Sequence, residues 1–131
     1  MGEYLNPGHH CFKEVLSKPI YVDKSLLIDL VSNYARGIND CIGVCKPKEF
    51  GKSTDADMLA AYYSKGCVSY ELFDFLNVSK IKNYLKHLNQ HNVIYLNMQE
   101  FLNYTHDVKK WYDWPLNTGY NILLTFLVNL F

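Results

Sequence analysis

Apolar and polar positions change rhythm several times along the chain, and each change predicts an element. Asn6-Pro7 reads as an N-cap followed by proline at the first helical position, opening a short helix through Phe12, Val15 and Leu16 that Pro19 ends. Ile20 to Val22 is extended. Asp23 then caps a second helix with Leu26, Leu27, Leu30, Val31 and Tyr34 at helical spacing, stopped by Gly37. Cys41 to Cys45 is a short apolar run between turn-rich segments and predicts a buried strand. After a loop over Lys46–Gly51, a helix from about Lys52 to Ser64 carries Met58, Ala61 and Tyr62 on one face, with Gly66 beyond its end. Leu72, Phe73, Phe75 and Leu76 suggest a short helix or turn, and Ile81, Tyr84, Leu85 and Leu88 another helix. Val93–Met98 is the second strand candidate. Strands alternating with helices predict an α/β domain in which Cys41–Cys45 and Val93–Met98 lie parallel and adjacent.

The end of the chain has a different texture. Nine of the twelve residues in Tyr120–Phe131 are apolar, well short of the roughly 20 that a membrane span needs. The stretch has no basic residue for an interfacial helix, so it is expected to pack on the core or to hang from it.

Composition narrows the function classes. In 131 residues, 49% are hydrophobic and 20% charged, which excludes a disordered or collagen-like chain. Thirteen basic residues balance thirteen acidic ones, so no bulk field points to nucleic acid or an anionic membrane. Arg36 is the one arginine. No apolar leader occupies the first twenty residues, which places the chain in the cytoplasm with its thiols reduced. Cys41 and Cys45, four apart in an apolar run, read as buried structural thiols. His9, His10 and Cys11 lack the second ligand cluster of a zinc site.

The chemistry concentrates at Phe50-Gly51-Lys52-Ser53, between the expected first strand and the expected helix. Loop amides and a helix N-terminus converge on phosphate oxygens in such a context, and the helix dipole favours the negative charge. Gly51 admits close backbone approach, Lys52 reaches the terminal phosphates, and the Ser53 hydroxyl sits on Mg²⁺. Lys46 and Lys48 add charge at the mouth. Against the pattern G-x-x-x-x-G-K-[ST], Lys46 occupies the first glycine position and Pro47 lacks an N–H. An ordinary loop-to-helix junction with solvated lysines is the competing reading. Asp55 and Asp57 suit the helix dipole, and Tyr62, Tyr63 and Phe73 suit core packing better than adenine stacking.

Taken together, Tyr21-Val22-Asp23-Lys24-Ser25, Lys46-Pro47-Lys48-Glu49-Phe50-Gly51-Lys52-Ser53, Met58–Tyr63, Glu71-Leu72-Phe73 and Val93–Met98 resemble the predicted AAA-ATPase-like family of bacterial P-loop proteins. The opening Tyr4-Leu5-Asn6-Pro7-Gly8 is similar to one of its branches. The likeness runs over about 4–107, with 108–131 divergent, and covers the N-terminal portion of such a domain. It implies a partial P-loop NTPase fold with a parallel sheet core flanked by helices, and ATP–Mg²⁺ held by Lys46, Lys48, Phe50, Gly51, Lys52 and Ser53, with Ser53 on the metal. Lys46 and Lys48 stand where the family has arginine, and Glu49 sets a carboxylate beside the phosphates. Turnover further requires groups that position water. No apolar run here ends in an acidic pair, and Val93–Met98 ends near Asn97, so an ATP-binding module without hydrolysis of its own is expected. The alternative is a non-enzymatic remnant or interaction module that self-associates through an exposed sheet edge and the apolar tail. No DNA role is carried over from the family.

Overall fold

A computed structural model describes residues 5–34, 42–45, 47 and 49–97, and the backbone of 126–129. Its helices are α1 (His10–Leu16), α2 (Leu26–Tyr34), α3 (Lys52–Tyr63) and α4 (Tyr70–Phe73), followed by 3₁₀ turns at Asn77–Lys80 and Tyr84–Lys86. Two short strands, β1 (Asn92–Tyr95) and β2 (Phe126–Asn129), pair antiparallel, Val93 opposite Val128 and Ile94 opposite Leu127.

The expected parallel-sheet α/β core is therefore not what the chain forms. Residues 42–45 adopt no strand, and Gly43, Val44 and Cys45 are exposed. The ladder positions on both sides of β1 are filled. β2 takes one side. On the other, the Asn6 amide donates to the Val93 carbonyl (2.8 Å) and Leu5 bridges Ile94. A four-residue apolar run broken by glycine then has no edge of β1 to join. The buried-thiol reading fails with the strand: Cys45 is exposed, as is Cys11, and Cys41 lies outside the described residues. From the apolar tail, Phe126–Asn129 enters the fold as β2; the rest of 120–131 lies outside the described residues.

α3 is the centre of the packing. Apart from Asp57, every residue of Asp55–Tyr63 is buried, which is how a helix enclosed on most sides reads. Phe12 of α1 stacks on Phe73 (centroids 5.3 Å apart) and meets Tyr21 edge-on (6.0 Å), while Tyr62 meets Phe73 edge-on (5.5 Å). Tyr62, Tyr63 and Phe73 are thus core residues, each 1% exposed or less. Desolvation holds the Tyr62 phenol well above its ordinary pKa and pushes Tyr63 to about 12.

Three helical expectations shift on contact with this core. α1 begins at His10 rather than after Asn6, because the Asn6 carboxamide is spent on β1: its Oδ1 accepts the Val93 amide at 2.7 Å. α2 buries Ile28 and Val31 while Leu26, Leu30 and Tyr34 are exposed. Tyr63 selects that face, with its hydroxyl 2.6 Å from Ser32 Oγ and donating to the Ile28 carbonyl at 3.3 Å. The Ile81–Leu88 segment buries Tyr84 and Leu88 as expected, but through a 3₁₀ turn and not an α-helix. Among the described residues, no helix is long and apolar enough to cross a membrane.

Candidate functional site

The loop ahead of α3 has an unusual backbone. Glu49 (φ 67°) and Gly51 (φ 79°) are both left-handed, and Gly51 serves as the N-cap of α3. For Glu49 that conformation is sterically costly, by about 1–2 kcal/mol; glycine adopts it freely. The first helical backbone bond runs from the Asp55 amide to the Gly51 carbonyl (2.9 Å). The Ser53 and Thr54 amides therefore have no acceptor within the helix, as at any helix start. Lys52 Nζ folds back to donate to the Pro47 carbonyl at 3.1 Å, which sets its charge against the loop backbone. Ser53 and Phe50 are exposed. Lys46 and Lys48 lie outside the described residues, as does Arg36.

A second segment holds this loop. Lys24 Nζ donates to the Phe50 carbonyl (3.0 Å) and pairs with the buried Asp55 carboxylate (3.6 Å). The φ of Gly51 favours glycine, and a Cβ there would lie 2.8 Å from that same nitrogen, so a larger residue would displace the Lys24 ammonium. Asp55 is thus more than a dipole-matched helix residue, and so is Asp57, whose carboxylate accepts from Tyr95 Oη at 3.0 Å. Burial raises the Asp57 pKa, and the Tyr95 bond offsets part of that rise.

Lys24 is anchored in turn by its neighbours in the chain. Asp23 accepts the Ser25 amide (2.8 Å) and the Asn77 amide (2.8 Å), and the fully buried Ser25 hydroxyl accepts the Val78 amide (3.0 Å). Tyr21 places its hydroxyl 3.9 Å from Met58 Sδ on α3, and burial, with Asp23 and Asp55 near, pushes its pKa to about 12. Asp23 lies ahead of α2, which starts at Leu26; one of its oxygens closes the turn at Ser25 and the other ties this segment to the distant turn at Asn77. Burial alone would raise the Asp23 pKa; the bonds from Ser25 and Asn77 and the Lys80 charge outweigh it and hold the group below 3.8. A depressed folded pKa means a stabilisation that is complete above the ordinary value and lost as pH falls through the folded one. Urea midpoints followed from pH 7 down to about 2.5 should therefore fall more steeply for wild type than for Asp23→Asn, which starts lower at neutral pH. Parallel curves would show that Asp23 carries no such linkage.

The fold also holds a cavity of about 490 Å³ at the far end of α3, lined by Tyr62, Tyr63, Tyr84, His87 and His91 among others. At 1.5 Å per residue it lies roughly 15 Å along the helix from Gly51 and is separate from the loop. His87 Nδ1 and His91 Nε2 are 3.0 Å apart there, and burial, then His87 and Lys65, lowers the His91 pKa. Among the described residues no group of three or more His, Cys, Asp or Glu is placed to hold a metal ion.

Gly51 and Lys52 are thus brought together at the helix start, with Ser53 on the first turn. Sequence reasoning gave Lys24 no role, although it stands inside one of the motifs already singled out. A left-handed glycine thus leads the loop into the start of α3, with the Lys24 and Lys52 side chains each donating to a loop carbonyl. The chain belongs to the AAA-ATPase-like family, described as predicted AAA-ATPase, whose model matches residues 8–123. No curated protein and no solved structure matches it significantly.

Proposed function

We propose that the chain binds ATP with Mg²⁺ at the start of α3, in keeping with its family. The observation that carries this reading is the left-handed Gly51 at the N-cap of α3, with Lys52 drawn onto the loop ahead of it. First-turn amides and the helix dipole favour an anion there, and Lys52 has three donors to share between Pro47 and phosphate oxygens. Lys46, Lys48 and Phe50 border the same loop in sequence.

The residues present fit magnesium with a nucleotide. Ser53 offers one exposed hard oxygen, and Mg²⁺ commonly takes one or two protein oxygens together with substrate phosphates and water. When bound, the ion neutralises phosphate charge. Glu49, exposed on the loop, opposes an anion, and Pro47 contributes no N–H, so binding is weak. The proposed activity is binding and not turnover, since no apolar run in the sequence ends in an acidic pair.

Calorimetric titration of ATP–Mg²⁺ into wild type, Lys52→Ala and Glu49→Arg tests this. Loss of Lys52 removes a charge-assisted contact of about 1.5–3 kcal/mol, a roughly ten- to hundredfold weakening. Glu49→Arg should tighten binding by a smaller amount that shrinks with added salt. Equal affinity of wild type and Lys52→Ala, or no binding by either at millimolar nucleotide, would leave a plain loop-to-helix junction.

A further inference from the structure

We infer that Lys24 is a positioning residue of the phosphate loop, setting the orientation of the Phe50–Gly51 peptide; the inference rests on the phosphate-binding reading of that loop. A phosphate loop is ordinarily carried on the end of a central strand, and here residues 42–45 form none. Some other element must hold the loop's shape, and the contacts at its last peptide identify it. Lys24 Nζ takes the Phe50 carbonyl at 3.0 Å. In a trans peptide the C=O and N–H point in opposite directions. Fixing the Phe50 oxygen on Lys24 therefore turns the Gly51 N–H away from Lys24, which keeps that amide available as a donor at the helix start.

The same ammonium neutralises Asp55, whose carboxylate is buried beneath the first turn of α3, 3.6 Å away. Left without that charge, Asp55 would oppose any anion seated above it. Lys24 therefore acts on the loop in two ways, through peptide orientation and through charge. Its backbone is tethered on both sides, because Asp23 accepts the Asn77 amide and Ser25 accepts the Val78 amide. Gly51 completes the fit, since any Cβ at this position would meet the Lys24 nitrogen.

The two actions are separable. Lys24→Met leaves Asp55 buried beside an apolar side chain and risks failure to fold. Lys24→Met/Asp55→Asn removes the charge problem, and only the peptide orientation is then lost. The expected result is that the double variant regains the thermal midpoint of wild type to within a few degrees while its ATP–Mg²⁺ dissociation constant stays about tenfold higher, the equivalent of one lost hydrogen bond in the site. Lys24→Arg keeps charge and donors and should bind within about threefold of wild type. In ¹⁵N-resolved spectra the Gly51 amide proton should move downfield with ATP in wild type and in Lys24→Arg, and stay in place in the double variant. If the double variant recovers ATP affinity together with stability, or its Gly51 amide responds as in wild type, Lys24 does no more than neutralise Asp55 and the inference is overturned. If Lys52→Ala abolishes binding but the double variant binds as wild type does, it falls while the phosphate-loop reading stands. If wild type itself fails to bind, both fall.

Discussion

Asn89→Ala is expected to lower stability by about 3–5 kcal/mol, placing it among the most damaging single substitutions available in this chain. Asn89 closes α3 from outside the helix. Its amide nitrogen lies 3.1 Å from the Ala61 carbonyl and 3.0 Å from that of Ser64, and its oxygen accepts the Ser69 amide at 3.1 Å. The Asn89 backbone amide also reaches the Tyr62 carbonyl at 2.7 Å. These are the carbonyls that a helix C-terminus leaves without partners, and here they lie against the core, away from bulk water. Alanine deletes the side-chain bonds, leaves the acceptors buried, and must itself take a backbone with φ 55°. Asn89→Gly separates the terms, since glycine accepts that backbone and loses the side chain alone; it should be milder by about 1 kcal/mol. For a chain of this size the alanine variant's thermal midpoint should drop by roughly 10–20 °C. A drop of no more than a few degrees would mean that water replaces the carboxamide at little cost.

Phe12→Ala should cost a similar amount, about 3–5 kcal/mol, by opening a cavity where α1 meets α3. Phe12 is fully buried, stacked on Phe73 and edge-on to Tyr21. The Tyr21 contact gives the substitution a reach beyond stability. Tyr21 lies three residues before Lys24 and touches Met58, so the cavity loosens the segment that presents Lys24 to the loop. Urea denaturation should show a lower midpoint with an unchanged slope, the mark of lost stability in an unaltered fold. Phe12→Leu should keep most of the packing and lose less. A loss under about 1 kcal/mol for the alanine variant, the scale of surface substitutions, would show that α1 is only loosely docked.

The local chemistry of this chain was legible in its sequence. Helices were expected from Asn6-Pro7 through Leu16, from Asp23 through Tyr34 and from about Lys52 to Ser64, with a short helix or turn over Leu72–Leu76 and a strand over Val93–Met98; an element of the expected kind overlaps each range, although α1 starts only at His10 and β1 ends at Tyr95. Each rests on a cause that acts within a few residues: apolar spacing, glycine and proline as breaks, a strand of β-branched and aromatic residues. The Gly51–Lys52–Ser53 junction is of the same kind, since a glycine before a helical run is where a left-handed N-cap can form.

What only the tertiary structure decided depends on partners far away in the chain. The apolar run at 42–45 reads as a strand, but a strand exists through its ladder. The ladder of β1 is filled by Leu5–Asn6 and by β2, the latter from a tail that sequence alone left between packing and hanging free. α2 is apolar on several sides, so its periodicity did not select a face; the Tyr63 hydroxyl, bonded at Ser32 and Ile28, did. Asn89 sits in a polar stretch with no pattern to mark it as the cap of a helix 26 residues earlier. Lys24 stood in a visible motif, yet its meeting with Phe50 and Asp55 exists only after α2 and α3 have packed. Short-range sterics and spacing specify elements and turns, whereas strand pairing, buried faces and charge neutralisation are settled by which groups remain to be satisfied once the chain has closed on itself.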